Sequence, residues 1–265
     1  MEILVCARRV PDTSENEIEM NSAGNDIERD DLVYSVNEPD NYAVEEALQM
    51  VERAGGNVTV VTVGGDDDEE ILRREMAMGA KNGVLLSDGS FEGSDGRGIA
   101  AILAAYVKKN RYDLILTGVQ AEDGAAQVGG MLAAMLDYPF ASLVNSIEVL
   151  DGKLKISREI EGGNKEMSEI DLPCVLSIQT GINEPRYVGM RGIRQVASVP
   201  IPTLGAQDLG LNGGLNGGVG AAAAKVKRVD YFVPPAGKGA EMLEGSSEEI
   251  ADKLIELLKA KGGLK

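Results

Sequence analysis

The sequence contains neither histidine nor tryptophan, and aromatic residues make up only 4% of its 265 positions. Without an imidazole, the chain lacks a His-based catalytic triad, a histidine general base and the usual kind of zinc site. The few aromatic side chains also make a stacking platform for single-stranded nucleic acid improbable. Basic residues are scarce: 26 Lys and Arg against 43 Asp and Glu give a net charge of -17, which opposes contact with phosphate backbones. These absences point away from nucleic-acid partners and indicate a protein that binds more than it transforms.

Cysteine is also rare, and long apolar runs are missing. Cys6 and Cys174 both lie in apolar, strand-like runs, which is typical of buried thiols in a reducing compartment rather than of a disulfide or a metal site. No apolar run reaches membrane-spanning length, and the chain enters a strand at its third residue without a charged leader. We therefore expect a cytoplasmic location, no metal site and no direct membrane insertion.

Apolar β-rich runs alternate with amphipathic helical patterns through the first half of the chain. Near-continuous apolar strands separated by helices are typical of a parallel sheet that is covered on both faces. Right-handed crossovers then predict a doubly wound α/β domain with a mainly parallel sheet. The predicted strands are Ile3–Cys6, Val58–Val63, Gly83–Leu86 and Leu114–Thr117, and the predicted helices are Asn41–Ala54, Asp68–Met78, Gly98–Lys109 and Ala125–Leu136.

The second half begins with a different pattern, in which shorter strand-like runs flank the turn pairs Asp151-Gly152 and Gly162-Gly163. Strands joined by tight turns pair in antiparallel fashion. We expect this patch to extend the main sheet. Its strand-like runs are Ile147–Val149, Lys153–Arg158 and Cys174–Ile178.

After Pro200 the sequence becomes rich in Gly, Ala and Asn, which predicts an extended arm or a linker. A helix then begins near Ser246, where a hydroxyl and two early acids can satisfy free amides and the helix dipole. Its apolar stripe indicates a packing face, supplied either by its own domain or by a partner. We therefore divide the chain into an α/β domain over residues 1–200 and a C-terminal arm and helix over residues 201–265.

Three loops occupy the positions where a parallel sheet binds ligands, beyond the carboxyl ends of its strands. They follow Cys6, Val63 and Thr117, and the third enters a helix through the small residues of 124–126. Small side chains let a phosphate approach backbone amides closely. The loop lacks a P-loop lysine and a GxGxxG pattern, so phosphate binding and a plain strand-to-helix turn remain open alternatives.

A run of acids from Asp66 to Glu70 offers a further candidate, for metal binding. Consecutive acids at a helix start point around the helix rather than at one centre. We interpret them as capping and charging the start of the second helix.

The segment 183–201 has the composition of a protein-docking loop. It follows a buried-looking strand and carries one flexible apolar residue, Met190, among Arg186, Arg191 and Arg194. Met adapts to varied pockets, and Arg is enriched at interfaces. An ordinary surface loop is the alternative interpretation.

Several ordered motifs together resemble the beta subunit of electron transfer flavoprotein. The run GINEPRY (181–187) is preceded by REIEGG (158–163) and followed by Gly192-Ile193. The resemblance extends along the whole chain, through ILVCARRV (3–10), NEPDNYAVEEAL (37–48), AMGAKNGVLL (77–86), GVQAEDGAAQVG (118–129) and VKRVDYFVPPAGKGAEMLEG (226–245).

The resemblance implies an adenine-nucleotide-binding domain that holds AMP, and an FAD at the interface with an alpha subunit. Members that perform electron bifurcation hold a second FAD where others hold AMP, and the run 126–129 resembles their loop. Asn37 and Asp40 are also alternative N-caps of the first long helix. The implied nucleotide contacts are Cys6, Ala7, Asn37, Glu38, Pro39, Asp40, Val63, Gly118, Val119, Gln120, Ala121, Asp123, Gly124, Ala125, Ala126, Gln127 and Val128.

The resemblance further implies electron relay rather than catalysis by this chain, with an alpha subunit, a flavin dehydrogenase of the acyl-CoA dehydrogenase type and a membrane quinone oxidoreductase as partners. It places the C-terminal arm on the alpha subunit. The expected cytoplasmic location is that of a prokaryotic protein. Electron bifurcation with NADH as donor is the close alternative. A free-standing ATP-binding α/β protein is the alternative from another class. The implied partner contacts are Tyr187, Met190, Arg191 and Ile193.

Overall fold

We describe the protein from a computed structural model that covers residues 1–121, 124–211, 218–226, 229, 231–237 and 239–264. The chain divides into two compact units. The first comprises Met1–Ile18 and Arg29–Val229, and the second comprises Glu19–Glu28 and Asp230–Lys265. The first unit contains every feature that bears on the candidate site.

The first unit is built on a nine-stranded sheet in the order β11-β5-β4-β1-β6-β10-β7-β8-β9. The strands from β11 to β7 are all parallel, whereas β7, β8 and β9 pair in antiparallel fashion. A separate antiparallel pair is formed by β2 and β3. The strands are β1 (Glu2–Cys6), β2 (Arg9–Pro11), β3 (Tyr34–Val36), β4 (Asn57–Val63), β5 (Asn82–Leu86), β6 (Leu114–Gly118), β7 (Phe140–Val149), β8 (Lys153–Ile160), β9 (Asn164–Asp171), β10 (Cys174–Ile178) and β11 (Thr203–Leu204).

Helices cover both faces of the parallel part of the sheet. Ile3 and Val5 of β1 share one buried cluster with the helices α1 (Glu38–Ala54) and α2 (Glu69–Met78). Leu4 points the other way, into a second cluster with α3 (Gly96–Lys109) and α4 (Val128–Leu136). Alternation of side chains across the central strand therefore fills two cores. The doubly wound α/β architecture predicted from the sequence is confirmed.

All four predicted helices begin at other residues, and the difference is largest, at three residues, for the first and the fourth. The first was predicted from Asn41, but α1 begins at Glu38, because Pro39 fits the first turn of a helix. The fourth was predicted from Ala125, but α4 begins at Val128, because Ala126 has φ of 52° and interrupts right-handed helix.

The antiparallel patch extends the main sheet as expected, but it is larger than predicted. The whole of β9 was missed, since most of its side chains are exposed and polar and its sequence carries no apolar alternation. The strand β7 also begins at Phe140, seven residues before the predicted start.

The residues directly after Pro200 add to the first unit. Thr203 and Leu204 form β11, which pairs with the end of β5, and α5 (Met190–Val196) and α6 (Ala206–Leu209) flank it along the chain. Leu209 is buried in the second core cluster. The division of the chain at residue 200 stays a prediction.

Residues 230–265 belong to the second unit, in which α7 (Ser247–Ala260) begins where the sequence predicted. The Ser246 hydroxyl accepts a bond from the Glu249 amide, and the Glu249 carboxylate accepts one from the Ser246 amide. This reciprocal pair is a capping box. Within the described part of the chain, no helix is both long enough and apolar enough to cross a membrane.

Candidate functional site

Three of the predicted nucleotide contacts lie at one edge of the sheet. Parallel pairing in register sets the end of β1 beside the ends of its two neighbours, with Cys6 opposite Val61 of β4 and Thr117 of β6. The carboxyl ends of parallel strands, with the loops that follow them, form the usual ligand crevice of such sheets. Cys6, Val63 and Gly118 therefore share the edge that we call the strand-end edge.

Asp40 ties the first turn of α1 to two strand ends. Its Oδ2 accepts the backbone N–H of Arg8, after β1, at 2.9 Å, and its Oδ1 accepts that of Gly118, at the end of β6, at 2.8 Å. The side chain is almost fully enclosed, with the residue only 6% exposed. Because both oxygens are occupied by amides, Asp40 holds three segments in fixed positions.

Asn37 makes a second tie across the same edge. Its Nδ2 donates to the carbonyl of Gln120 at 2.9 Å, and its own amide donates to the carbonyl of Arg8 at 2.8 Å. Of the two residues considered as the N-cap of α1, Asn37 occupies the cap position, yet its side chain makes no capping bond. Asn37 and Asp40 thus direct their side chains to neighbouring loops rather than to the amides of their own helix.

Burial sets the ionisation of the groups at this edge. It raises the pKa of Asp40 to about 7, while the amides of Gly118 and Arg8 act against that rise. Burial also raises the pKa of the Cys6 thiol, with the nearby charge of Asp40 adding to the effect. Cys6 is therefore a neutral, unreactive side chain that shapes the edge by its bulk.

Gly118 and Gly129 allow a close approach that no other residue would permit. A Cβ at Gly118 would lie 2.3 Å from Oδ1 of Asp40 and 2.8 Å from Cβ of Pro39. A Cβ at Gly129 would lie 2.4 Å from the Ser177 hydroxyl. At these two positions glycine is needed for packing between segments of the protein itself.

The N-terminus of α4 lacks a side-chain cap, in contrast to that of α3. Asp95 caps α3 by accepting the amide of Gly98 at 3.0 Å. Gln127 occupies the equivalent position on α4 and makes no capping bond to the described residues. The first-turn amides of a helix have no intrahelical acceptors, and with the helix dipole they favour an anion. The α4 terminus therefore has the features that favour an anion, and phosphate binding there stays a prediction.

The remaining predicted nucleotide contacts lie on three segments, after β1, at the start of α1 and between β6 and α4. Ala7 is buried behind the edge, with its amide bound to the Val61 carbonyl at 2.9 Å. The Gly124 amide donates to the Ala121 carbonyl at 2.9 Å and closes a turn. Asp123 lies outside the described residues. The others lie at the start of α1 (Glu38, Pro39) or between β6 and α4 (Val119, Gln120, Ala125, Ala126, Gln127), with Val128 opening α4.

The acid run lies at the start of α2, as interpreted from the sequence. Asp66–Asp68 form a short 3₁₀ turn, and Oδ2 of Asp68 accepts the amide of Gly65 at 2.8 Å. Burial raises the pKa of Asp68, and the Gly65 amide opposes this rise.

The predicted docking residues are exposed and lie close together in the sequence. Tyr187 is 92% exposed, Met190 64% and Ile193 43%, and Arg191 beside them is also exposed. Met190 opens α5, a helix that the sequence did not predict. Exposed large apolar residues beside an arginine are typical of protein interfaces, and the docking role of these residues stays a prediction.

Arg186 does not join the ring of arginines around Met190, contrary to the expectation from the sequence. Its guanidinium donates instead to Glu45 and Glu52 of α1, at 2.8 and 2.7 Å. Sequence reasoning missed these two partners. The sequence did carry a signal for Glu45, because its carboxylate stands among the apolar positions of an amphipathic helix. A carboxylate that is buried in this way requires a cation beside it.

Comparison with known proteins gives one family. Residues 25–209 match the family described as electron transfer flavoprotein domain. The electron transfer flavoprotein subunit beta of Methylophilus methylotrophus is 37% identical, over 97% of this chain and 98% of its own. Subunit CarD of the caffeyl-CoA reductase-Etf complex of Acetobacterium woodii is 39% identical, over 98% of this chain and 99% of its own length. The acryloyl-CoA reductase electron transfer subunit gamma of Anaerotignum propionicum is 32% identical, over 98% of this chain and 99% of its own length.

Proposed function

The chain belongs to the electron transfer flavoprotein family, as a relative of its beta subunits, and we propose that it forms a heterodimer with an alpha subunit and binds AMP at the strand-end edge. The heterodimer would take electrons from a flavin dehydrogenase, of the acyl-CoA dehydrogenase type, and pass them to a membrane quinone oxidoreductase. It would do so in the cytoplasm of a prokaryote. The FAD that relays these electrons would be held mainly by the alpha subunit, with this chain as one wall of its site.

One observation carries the AMP assignment: the N-terminus of α4, which has no side-chain cap among the described residues, follows the small residues 124–126 after β6, at the carboxyl edge of a parallel sheet. A phosphate fits this place, since it supplies the acceptor that Gln127 does not. Asp40 and Asn37 fix the neighbouring loops, so that the edge is preorganised for a ligand. The carboxylate of Asp40 is used within the protein and is not needed as a ligand group.

A second candidate is the beta subunit of an electron-bifurcating flavoprotein, with a second FAD in place of AMP and NADH as donor. The likeness to a subunit of the caffeyl-CoA reductase-Etf complex, at 39% identity, favours it. A pyrophosphate suits a helix N-terminus as well as a single phosphate does. The α4 terminus therefore suits the phosphate of either nucleotide.

The experiment is to co-express the chain with its alpha subunit, purify the complex, release the nucleotides by denaturation and quantify them. We expect one FAD and one AMP per heterodimer. Two FAD without AMP would replace the first proposal by the bifurcating one. A chain that stays monomeric and turns over ATP would overturn both and support a free-standing nucleotide-binding protein.

A further inference from the structure

The exposed patch of Tyr187, Met190 and Ile193 belongs to a longer segment that is fixed at both of its ends. We call residues 183–199 the docking segment. Its first end is bound to α1 by Arg186, whose Nε and Nη2 donate to Oε2 and Oε1 of Glu45 at 2.8 and 3.0 Å. The two parallel bonds are the bidentate geometry that makes an arginine–carboxylate pair both strong and directional.

The carboxylate of Glu45 is ionised in this pair. Burial acts to raise its pKa, but the hydrogen bonds and the charge of Arg186 hold the pKa below its usual value. Glu52 adds a second, exposed acceptor for the same guanidinium, at 2.7 Å. Because Glu45 is buried, removal of Arg186 would leave an uncompensated charge in the protein.

Asn183 strengthens this first attachment. Its Nδ2 donates to the carbonyl of Tyr42 and to Oε2 of Glu46, both at 3.1 Å. The side chain therefore satisfies one backbone and one side-chain acceptor on α1. Together Asn183 and Arg186 form what we call the α1 clamp.

The second end of the docking segment is bound to α2 by Arg73. Its Nη1 donates to the carbonyls of Val196, Ala197 and Val199 at 2.8, 3.1 and 3.2 Å. The last carbonyls of a helix lack intrahelical partners and carry the negative end of its dipole, so a guanidinium at the end of α5 is well placed. Glu69 orients Arg73 by accepting its Nε at 2.8 Å. We call this contact the α2 clamp.

Between the two clamps the segment presents the apolar side chains to solvent. We propose that Arg186 and Arg73 are positioning residues, which hold the docking segment in the shape that a flavin dehydrogenase recognises. This inference rests on the proposed function. A segment held at both ends loses less conformational freedom on association, so the clamps contribute to affinity without touching the partner. Met190 and its neighbours make the contact, and the arginines keep those side chains in place.

The test uses the heterodimer with its alpha subunit and three single variants, Arg186→Gln, Arg73→Gln and, as a control, Arg111→Gln, which alters an exposed arginine outside the segment. The heterodimer is the substrate of a purified acyl-CoA dehydrogenase. We expect KM for the heterodimer to rise about five- to tenfold in each clamp variant, with kcat within about twofold. FAD content and reduction by dithionite, which needs no docking, should stay unchanged.

Two further measurements report the position of the segment directly. Amide hydrogen exchange in residues 187–193 should accelerate in both clamp variants and not in Arg111→Gln. Arg186→Lys should recover only part of the lost affinity, because an ammonium cannot make the bidentate pair. If Arg186→Gln fails to fold, Glu52→Gln removes only the exposed half of the α1 clamp, and about a twofold rise in KM is expected.

Unchanged KM and exchange in the clamp variants, together with a clear defect in Met190→Ala, would overturn the positioning role and leave the docking proposal intact. No defect in Met190→Ala would instead overturn the docking segment itself. Loss of FAD or slower reduction by dithionite in the clamp variants would assign the arginines to general stability, and so would also overturn the inference.

Discussion

The strand-end edge and the docking segment are built in opposite ways. At the edge, buried side chains such as Asp40 and Asn37 join backbone groups of different loops, and Gly118 is packed against them without room for another atom. In the docking segment, the side chains proposed to meet a partner are exposed, and two arginines bind the ends of the segment to α1 and α2. Buried hydrogen bonds and close packing therefore hold the strand-end edge, whereas contacts at its two ends hold the docking segment.

The difference teaches where each region is vulnerable. A small change of volume at the edge must displace α1, β6 or both, so it should affect stability and nucleotide binding together. A change in the docking segment removes contact area on the outside, so it should affect a partner without disturbing the fold. Three substitutions test this contrast, and a fourth examines a buried carboxylate on α2.

The largest effect is expected for Gly118→Ala. The added Cβ would come within 2.3 Å of Oδ1 of Asp40, and both segments there are part of the packed edge. We expect loss of the bound nucleotide and a free energy of unfolding lower by about 2–4 kcal/mol. The measurements are nucleotide content of the heterodimer and urea unfolding. Gly89→Ala is the matched control, because a Cβ there has no neighbour within 4 Å. Full nucleotide content with parental stability would contradict this account of the edge.

The next effect is expected for Met190→Ala, which removes the central apolar side chain of the docking segment. Truncation of an interface anchor should lower kcat/KM for electron transfer from an acyl-CoA dehydrogenase by about tenfold. FAD content and unfolding should match the parent, since Met190 is 64% exposed. Met167→Ala alters another exposed methionine, on β9, and should leave the rate unchanged. If both methionine variants transfer electrons at the parental rate, Met190 is not an anchor.

Most of the parallel sheet could be predicted, because strands buried on both faces are near-continuous apolar runs. The patterns of β1 and β10 are of this kind. The strand β9 could not be found in this way, since its side chains are mainly exposed and its strand form depends on pairing with β8. The start of α4 was also hidden, because a left-handed alanine at position 126 has no sequence signature.

The position of the candidate site could be predicted from the topology of the sheet, but the hydrogen bonds within the site could not. Any parallel sheet of this order gathers the carboxyl ends of its strands, so Cys6, Val63 and Gly118 could be grouped from sequence alone. A carboxylate among the apolar positions of α1 indicated that Glu45 would need a cation, but the sequence did not identify Arg186, which lies 141 residues later. Long-range side-chain pairs depend on how the helices pack. A hydrophobic pattern predicts which face of a helix is buried, but not which residues of another segment lie opposite that face.

A third substitution, Glu75→Met, examines a buried charge on α2, the helix that bears the α2 clamp. Glu75 is fully buried, and neither carboxylate oxygen has a hydrogen-bond partner among the described residues. Burial raises its pKa to about 8, with Asp40 and Glu45 adding to the rise and Arg74 opposing it. A raised folded-state pKa gives a stabilising contribution at low pH that is lost as the pH rises through about 8.

The parent should therefore lose stability between about pH 5 and about pH 9, and Glu75→Met should lose less. We expect the variant to be more stable by about 1–3 kcal/mol at the upper pH and nearly equal to the parent at the lower pH. Urea unfolding at both pH values measures this difference. Because the repulsion between the charges of Asp40 and Glu75 is mutual, loss of the Glu75 charge should also lower the pKa of Asp40, which adds to the expected difference in the same direction. The exposed Glu70→Met variant is the control, and a pH-independent difference for Glu75→Met would refute the buried-charge explanation.

The smallest effect is expected for Gln127→Asp, which places at the N-terminus of α4 the residue type that caps α3. An aspartate there should stabilise the nucleotide-free helix by about 0.5–1 kcal/mol, and it should occupy amides that a phosphate would otherwise bind. We expect AMP to bind about fivefold more weakly, measured by calorimetry on nucleotide-free heterodimer. Gln127→Asn separates the two causes, because it caps without charge and should weaken AMP less than Gln127→Asp does. An AMP affinity that is unchanged by both substitutions would move the phosphate away from α4, and the strand-end edge would then need another anion site.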